Sequence, residues 1–193
     1  MLMDVPPQLQ ERVICSIAAA VKYDFPANIM LAIAEKEGGR VGQWVGNANG
    51  TYDVGPLQFN TGYLRQLSGY GITPADVAAA GCYPYELAAW RLRQHIKKDA
   101  GDLWTRCANY HSRTPLFNSI YRADLILKSI SWQEWLAARY VTRSSHGEVV
   151  APPSFIPRTA LQRRDFASSP ASQSANAMKS VYVPRTLIYY KGP

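Results

Sequence analysis

Three acidic residues stand in the stretch AIAEKEGGRVGQWVGNANGTYDVGPLQFN, from Ala32 to Asn60: Glu35, Glu37 and Asp53. Glu37 follows Ile33 by four residues and Met30 by seven, so it continues an apolar helical stripe. It also falls in the last turn before Gly38-Gly39. Apolar neighbours strip water from such a carboxylate, and the negative end of the helix dipole repels it. Glu37 is therefore expected to hold its proton at higher pH than a free glutamate, the property a general acid needs near neutrality. Glu35 lies on a different face and reads as a solvated surface acid. Gly38 and Gly39 have no side chains, which would let a bulky substrate approach the carboxyl.

Asp53 comes 16 residues after Glu37, inside the polar stretch NGTYDVGPLQFNTGY (49–63). A carboxylate in a polar, hydrogen-bonding turn stays ionised. Two carboxyls pushed apart in proton affinity are the usual equipment for cleaving glycosidic bonds. Gln58 and Asn60 add amide donors and acceptors suited to sugar hydroxyls and N-acetyl groups.

Glu37, a loop and then DVGPLQFN resemble the lysozyme-like superfamily, in the Glu-Ser-Gly, Gly-Leu-Met-Gln and Ala-Tyr-Asn pattern of lytic transglycosylases. With CANYHSRTPLFNSIYRADLI (107–126), the chain resembles the conjugation-associated, TrbN-like transglycosylases of type IV secretion systems over roughly residues 5–140. The resemblance implies a mainly α fold of the α+β lysozyme-like kind, with a short β-hairpin beside an active-site groove. It implies Glu37 as the catalytic acid, and Gly55, Leu57 and Gln58 lining the saccharide groove. Tyr110 would sit near the acid and help place the reacting sugar. His111 takes the place of the motif's Asn, and Asp53 matches the nucleophile or electrostatic stabiliser of c-type lysozymes. Gly38 stands where the family has Ser, Pro56 sits inside the Gly-x-x-Gln turn, and Asn109 replaces Ala.

The activity so implied is non-hydrolytic cleavage of the N-acetylmuramic acid to N-acetylglucosamine bond, leaving 1,6-anhydromuramoyl ends, with no metal and no cofactor. Its partners would be peptidoglycan glycan strands in the periplasm, and type IV secretion or conjugation channel proteins met through the C-terminal tail. Two other readings stay open. A lysozyme-type muramidase would use Glu37 with Asp53, and a non-catalytic scaffold would bind glycan without cleaving it.

The elements that must position these groups follow from periodicity. Residues 8–22 place Leu9, Val13, Ile17 and Ala20 at helical spacing after Pro6-Pro7. Asp24 and Pro26 mark the start of a second helix, which ends at Gly38-Gly39. Residues 40–60 read as loop with a short hairpin. A short helix is expected over 60–69, another over 73–80 capped by Thr73, and a third over 83–98 burying Leu87, Trp90, Leu92 and Ile96. Residues 102–110 read as a shorter helix. A long one follows Pro115 to about Tyr140, carrying Ile120, Leu125, Leu127, Trp132 and Leu136.

This places a domain at 1–140 and a flexible, basic, Pro/Ser-rich tail at 141–193, largely disordered. The tail holds seven Arg/Lys against two acids, out of a net charge of +7 for the chain. Two segments within it, SFIPRTAL (154–161) and VYVPRTLI (181–188), repeat a pattern that suits docking by strand addition or in a groove. The basic tail fits an anionic partner. With no nucleic-acid motif beside it, nucleic-acid binding ranks last.

An apolar content of 47% suits a globular core, and no window reaches the length of a membrane span. The first residues make a poor signal peptide, having no basic n-region. Cys15, Cys82 and Cys107 lack metal-ligand spacing. They are expected as buried free thiols, one disulfide being the alternative. His95 reads as a helix-surface residue, His146 as part of the tail. The tryptophans are expected in the core, Trp44 among them, although its loop makes it the best of them for stacking on a sugar.

Overall fold

The structure, a computed structural model, describes residues 7–144, 149–150 and 185–187. Helix α1 (Pro7–Tyr23) is followed at once by α2 (Ala27–Glu37), with Pro26 in extended conformation at its N-cap. Every residue from Ala27 to Ala34 is buried. A helix apolar all round belongs inside, and α2 packs against both α1 and the long α7 (Pro115–Ala137). Gly38 ends it in the left-handed conformation, φ 60°, its N–H bonded to the Ala34 carbonyl.

The polar loop that follows contains a three-stranded antiparallel sheet: β1 (Trp44–Gly46), β2 (Tyr52–Val54) and β3 (Phe59–Asn60), in that order. Asp53 pairs with Val45 on one side and Asn60 on the other. Next come α3 (Thr61–Leu67), a 3-10 turn (Ser68–Tyr70) and α4 (Pro74–Ala78), capped by a Thr73–Asp76 capping box. Helices α5 (Tyr83–Lys98) and α6 (Leu103–Ala108) complete the set before α7. Residues 7–140 are therefore mainly helical, with a small three-stranded antiparallel sheet following the end of α2.

Several side chains lie elsewhere than periodicity placed them. Leu87 and Leu92 are buried, but Trp90 is 38% exposed. On α7 the stripe Asn118, Tyr121, Leu125, Ser129 and Leu136 is buried, with α7 packed on α2, while Ile120 and Leu127 are 61% and 66% exposed. Both lie off that stripe. Trp44 is half exposed, packing edge-on against Tyr52 rather than into the core. His95 is buried on α5 and bonded through Nδ1 to Asp99 Oδ2 at 2.7 Å. Glu35 accepts hydrogen bonds from Lys128 Nζ and Trp132 Nε1, each at 2.7 Å, so it ties α2 to α7 and is no free surface acid.

The cysteines also differ from expectation. Cys15 and Cys82 form a disulfide, their Cα atoms 4.8 Å apart, and Cys107 alone is free and buried. Because α1 packs on α5, the residue capping α5 is brought against α1. Burial pushes the Cys107 thiol up to about 12, so it stays protonated and unreactive.

Most of the expected tail, including the first repeat (154–161) and His146, lies outside the described residues. Its described pieces form a second antiparallel sheet in the order β5 (Val149–Val150), β4 (Thr142–Ser144), β6 (Arg185–Leu187). The Arg-Thr of the second repeat thus adds a strand to β4 of its own chain, and β6 runs beside α2.

The disulfide closes a loop of 67 residues. A Cys15→Ser, Cys82→Ser double variant is expected to lose about 2–4 kcal/mol of stability, read as a lowered urea midpoint against the oxidised parent.

Candidate active site

Glu37 is the last residue of α2, and α7 runs across that end. The Tyr121 hydroxyl, on the buried face of α7, donates to Glu37 Oε1 at 2.6 Å. The carboxyl opens into a recess of about 200 Å³ lined by Lys36, His111, Phe117, Ile120 and Tyr121. Burial raises its pKa from 4.5 to about 7, and the nearby Asp53 charge adds to the rise. The Tyr121 hydrogen bond and the charges of Arg91 and Lys36 act the other way and lose. At neutral pH the group holds a large fraction of its protons beside an open space.

His111 stacks on Tyr121, ring centroids 4.9 Å apart and planes within 7°. Burial, reinforced by Lys36, lowers its pKa, so it is neutral at pH 7. The turn that carries Tyr110 and His111 is tied down beneath. Asn118 donates to the carbonyls of Thr105 and Ser112 and to Asn109 Oδ1. Asn109 and Arg113 in turn donate to Asp99, at 2.8 and 3.1 Å. Burial opposes ionisation of Asp99, but the hydrogen bonds from Arg113, His95 and Asn109 hold it down at about 2.

On the other side lies the turn from Gly55 to Gln58. Gly55 has φ 71°, and a side chain there would run into the Val77 carbonyl. Gly39 is buried against the same turn, where a Cβ would collide with Gly55 O and Gln58 Nε2. The second glycine after Glu37 therefore lets the β-lobe close onto the helix end. It packs protein against protein, and is not the opening for substrate that the sequence suggested. Gln58, itself left-handed at φ 48°, donates from Nε2 to Gly55 O at 2.8 Å.

The other expected residues sort into touching the recess and shaping it. Of them, Glu37 and His111 line it. Asp53 is partly buried in β2, accepting from Asn60 Nδ2 at 2.9 Å, and its charge is felt by both Glu37 and His111. Asn60 has its amide fully engaged: Nδ2 donates to Asp53 and to Thr51 Oγ1, and Oδ1 caps α3 through Gly62 N. Leu57 is wholly buried and contributes its carbonyl, which accepts from the buried Tyr110 hydroxyl at 3.1 Å. The hydroxyl bonded to Glu37 is thus that of Tyr121, while Tyr110 locks the Gly55–Gln58 turn.

Tyr121 and Arg91 were not singled out from the sequence. Tyr121 lies on the buried stripe of α7, three residues after Asn118, a face that hydrophobic periodicity does not single out. The Arg91 guanidinium carbon lies 4.2 Å from the Tyr63 ring centroid and 4.7 Å from that of Tyr110. Among the described residues no group of three His, Cys, Asp or Glu side chains could hold a metal ion. No protein-family model matches the chain, and no curated protein matches it.

A carboxyl whose folded pKa is raised stabilises the fold below its unfolded value of 4.5 and loses that contribution as pH climbs to about 7. Part of the carboxyl faces the recess, where water offsets the cost, so about 3 kcal/mol is a ceiling for the effect. The stability of Glu37→Gln relative to wild type is expected to rise by up to that amount between pH 4 and pH 8, read from urea unfolding at each pH. Tyr121→Phe removes a hydrogen bond that favours the ionised form. The Glu37 carboxyl is then expected to titrate at higher pH than in wild type, followed by carbon NMR.

Proposed function

We propose that this protein is a peptidoglycan lytic transglycosylase of the lysozyme-like kind. The observation that carries the reading is a glutamate with a pKa near 7, held by a tyrosine at the edge of an open recess. That is the state a general acid needs at neutral pH. The small sheet beside the helix end, bearing Asp53 and the Gly55–Gln58 turn, suits a saccharide groove between two lobes. The half-exposed Trp44 and Tyr52 on its surface suit stacking on sugar rings.

Glu37 donates its proton to the glycosidic oxygen as the C1–O bond of the muramoyl residue breaks. The 2-acetamido group of that sugar supports the positive C1. Glu37, now ionised, takes the proton from the C6 hydroxyl of the same sugar, and O6 closes onto C1. Proton count balances, and Glu37 ends as it began. An intramolecular nucleophile outcompetes water because its approach costs little entropy. His111 stays neutral, and Tyr121 steadies the carboxylate between its two proton transfers.

Asp53 supports a second reading, a muramidase in which it assists a water or attacks C1. It faces the same site electrostatically. Its bond to Asn60 holds it in the sheet, which favours a supporting role. The disulfide suits an oxidising compartment, in keeping with a substrate in the cell envelope. A role in opening the wall for a transfer channel rests on the resemblance alone.

Mass spectrometry of muropeptides released from purified peptidoglycan tests the reading. Wild type is expected to leave 1,6-anhydro ends, and Glu37→Gln to release them roughly 10²–10⁴-fold more slowly. The rate should fall above about pH 7 as Glu37 loses its proton. New reducing ends would identify the muramidase. Equal release by both proteins would leave only a binding role.

A further inference from the structure

Arg91 lies on α5, partly buried, against the Tyr63 and Tyr110 rings. Ring faces attract a guanidinium but leave its charge intact and its N–H edge unsatisfied. Among the described residues no carbonyl, carboxylate or hydroxyl accepts a hydrogen bond from Arg91. Its helix neighbour Arg93 reaches the Tyr23 carbonyl, and Arg106, Arg113 and Arg122 each find an oxygen partner. A cation drawn partly out of water without an acceptor is costly to keep.

The place of this cation gives it a use. Its ring partner Tyr110 is bonded to the Gly55–Gln58 turn and adjoins His111, which lines the Glu37 recess. The charge of Arg91 is felt at Glu37, His111 and His95. The other cation at the recess, Lys36, is already paired with Asp124 at 2.6 Å. Glu37, with a pKa of about 7, is only partly ionised near neutrality and so offsets the Arg91 charge only in part. Arg91 thus stands beside Tyr63 and Tyr110, outside the recess lining itself, as a planar, forked cation with no oxygen partner among the described residues. That geometry matches a carboxylate, which accepts from a guanidinium through two parallel hydrogen bonds.

We propose that Arg91 is a specificity-determining residue that takes a carboxylate of the substrate. This inference rests on the transglycosylase reading above. On a glycan strand the carboxylate has two sources. One is the lactyl group of the muramoyl sugar, free wherever the stem peptide has been removed. The other is a carboxyl of the stem peptide itself. In either case the enzyme selects strands by a charge next to the bond it cuts, and a neutralised strand is a poorer substrate.

The test uses three soluble glycan preparations: peptide-free strands with free lactyl carboxylates, the same strands with those carboxyls converted to neutral amides, and peptide-bearing strands. Wild type is expected to show a KM about 10- to 100-fold lower for a carboxylate-bearing preparation than for the amide, with the difference in KM rather than kcat. Whichever charged preparation is preferred identifies the source. Arg91→Met, close in length and without charge, is expected to bring the KM ratio to about one. Equal KM values for all three with wild type overturn the inference and leave the transglycosylase reading standing. An Arg91→Met protein that is slower on all three with the preference intact overturns it too, since the side chain then only packs. The wild-type comparison decides even if the variant fails to fold. Cleavage of none of the three sinks the reading of the site, and this inference with it.

Discussion

The hydrogen bond from Tyr121 to Glu37 joins the end of the most buried helix to the second turn of the longest one. Much of the site follows from that join. It fixes where the carboxyl sits while apolar packing on both helices removes water from it. It also leaves the tyrosine ring as the platform on which His111 stacks. The desolvation that raises the pKa and the hydrogen bond that lowers it belong to one contact. The proton affinity near neutrality is their difference. Burial without Tyr121 would raise the proton affinity further, and the hydrogen bond without burial would lower it.

The second constraint is steric. Gly39, Gly55 and the Val77 carbonyl meet where no side chain fits. That contact sets how closely the β-lobe approaches the helix end. The amides of Gln58 and Asn60 are engaged within the same loop. The turn and the sheet have strained or unpaired backbone to satisfy, and these side chains are the groups within reach.

Local chemistry was legible in the sequence wherever a short-range rule governs. The helix over 83–98 begins and ends where periodicity placed it, Thr73 caps its helix, and the glycine pair stops α2. The elevated proton affinity of Glu37 followed from its place on an apolar stripe. Pairings across long chain separations were not legible. Tyr121 is 84 residues from Glu37, and Cys15 is 67 from Cys82. Neither partner carries a local mark of the other, and both depend on which helices pack together. The exposed Ile120 and Leu127 have the same cause. Hydrophobicity gives α7 two apolar faces, and only tertiary packing decides which is covered. Asn60, expected as an amide for sugar groups, is held in the sheet by three hydrogen bonds.

The bond between Cys15 and Cys82 makes a covalent ring that contains α2, the three-stranded sheet, α3 and α4. Glu37 and Asp53 both lie on that ring. Its outward segments, residues 40–51 and 68–71, are where a protease would find most exposed backbone. A single cut in either would break the chain without parting it, because each fragment still carries one cysteine of the bridge. Such a nicked protein would keep its two carboxyls tethered and would migrate as one species until a reductant separated the pieces.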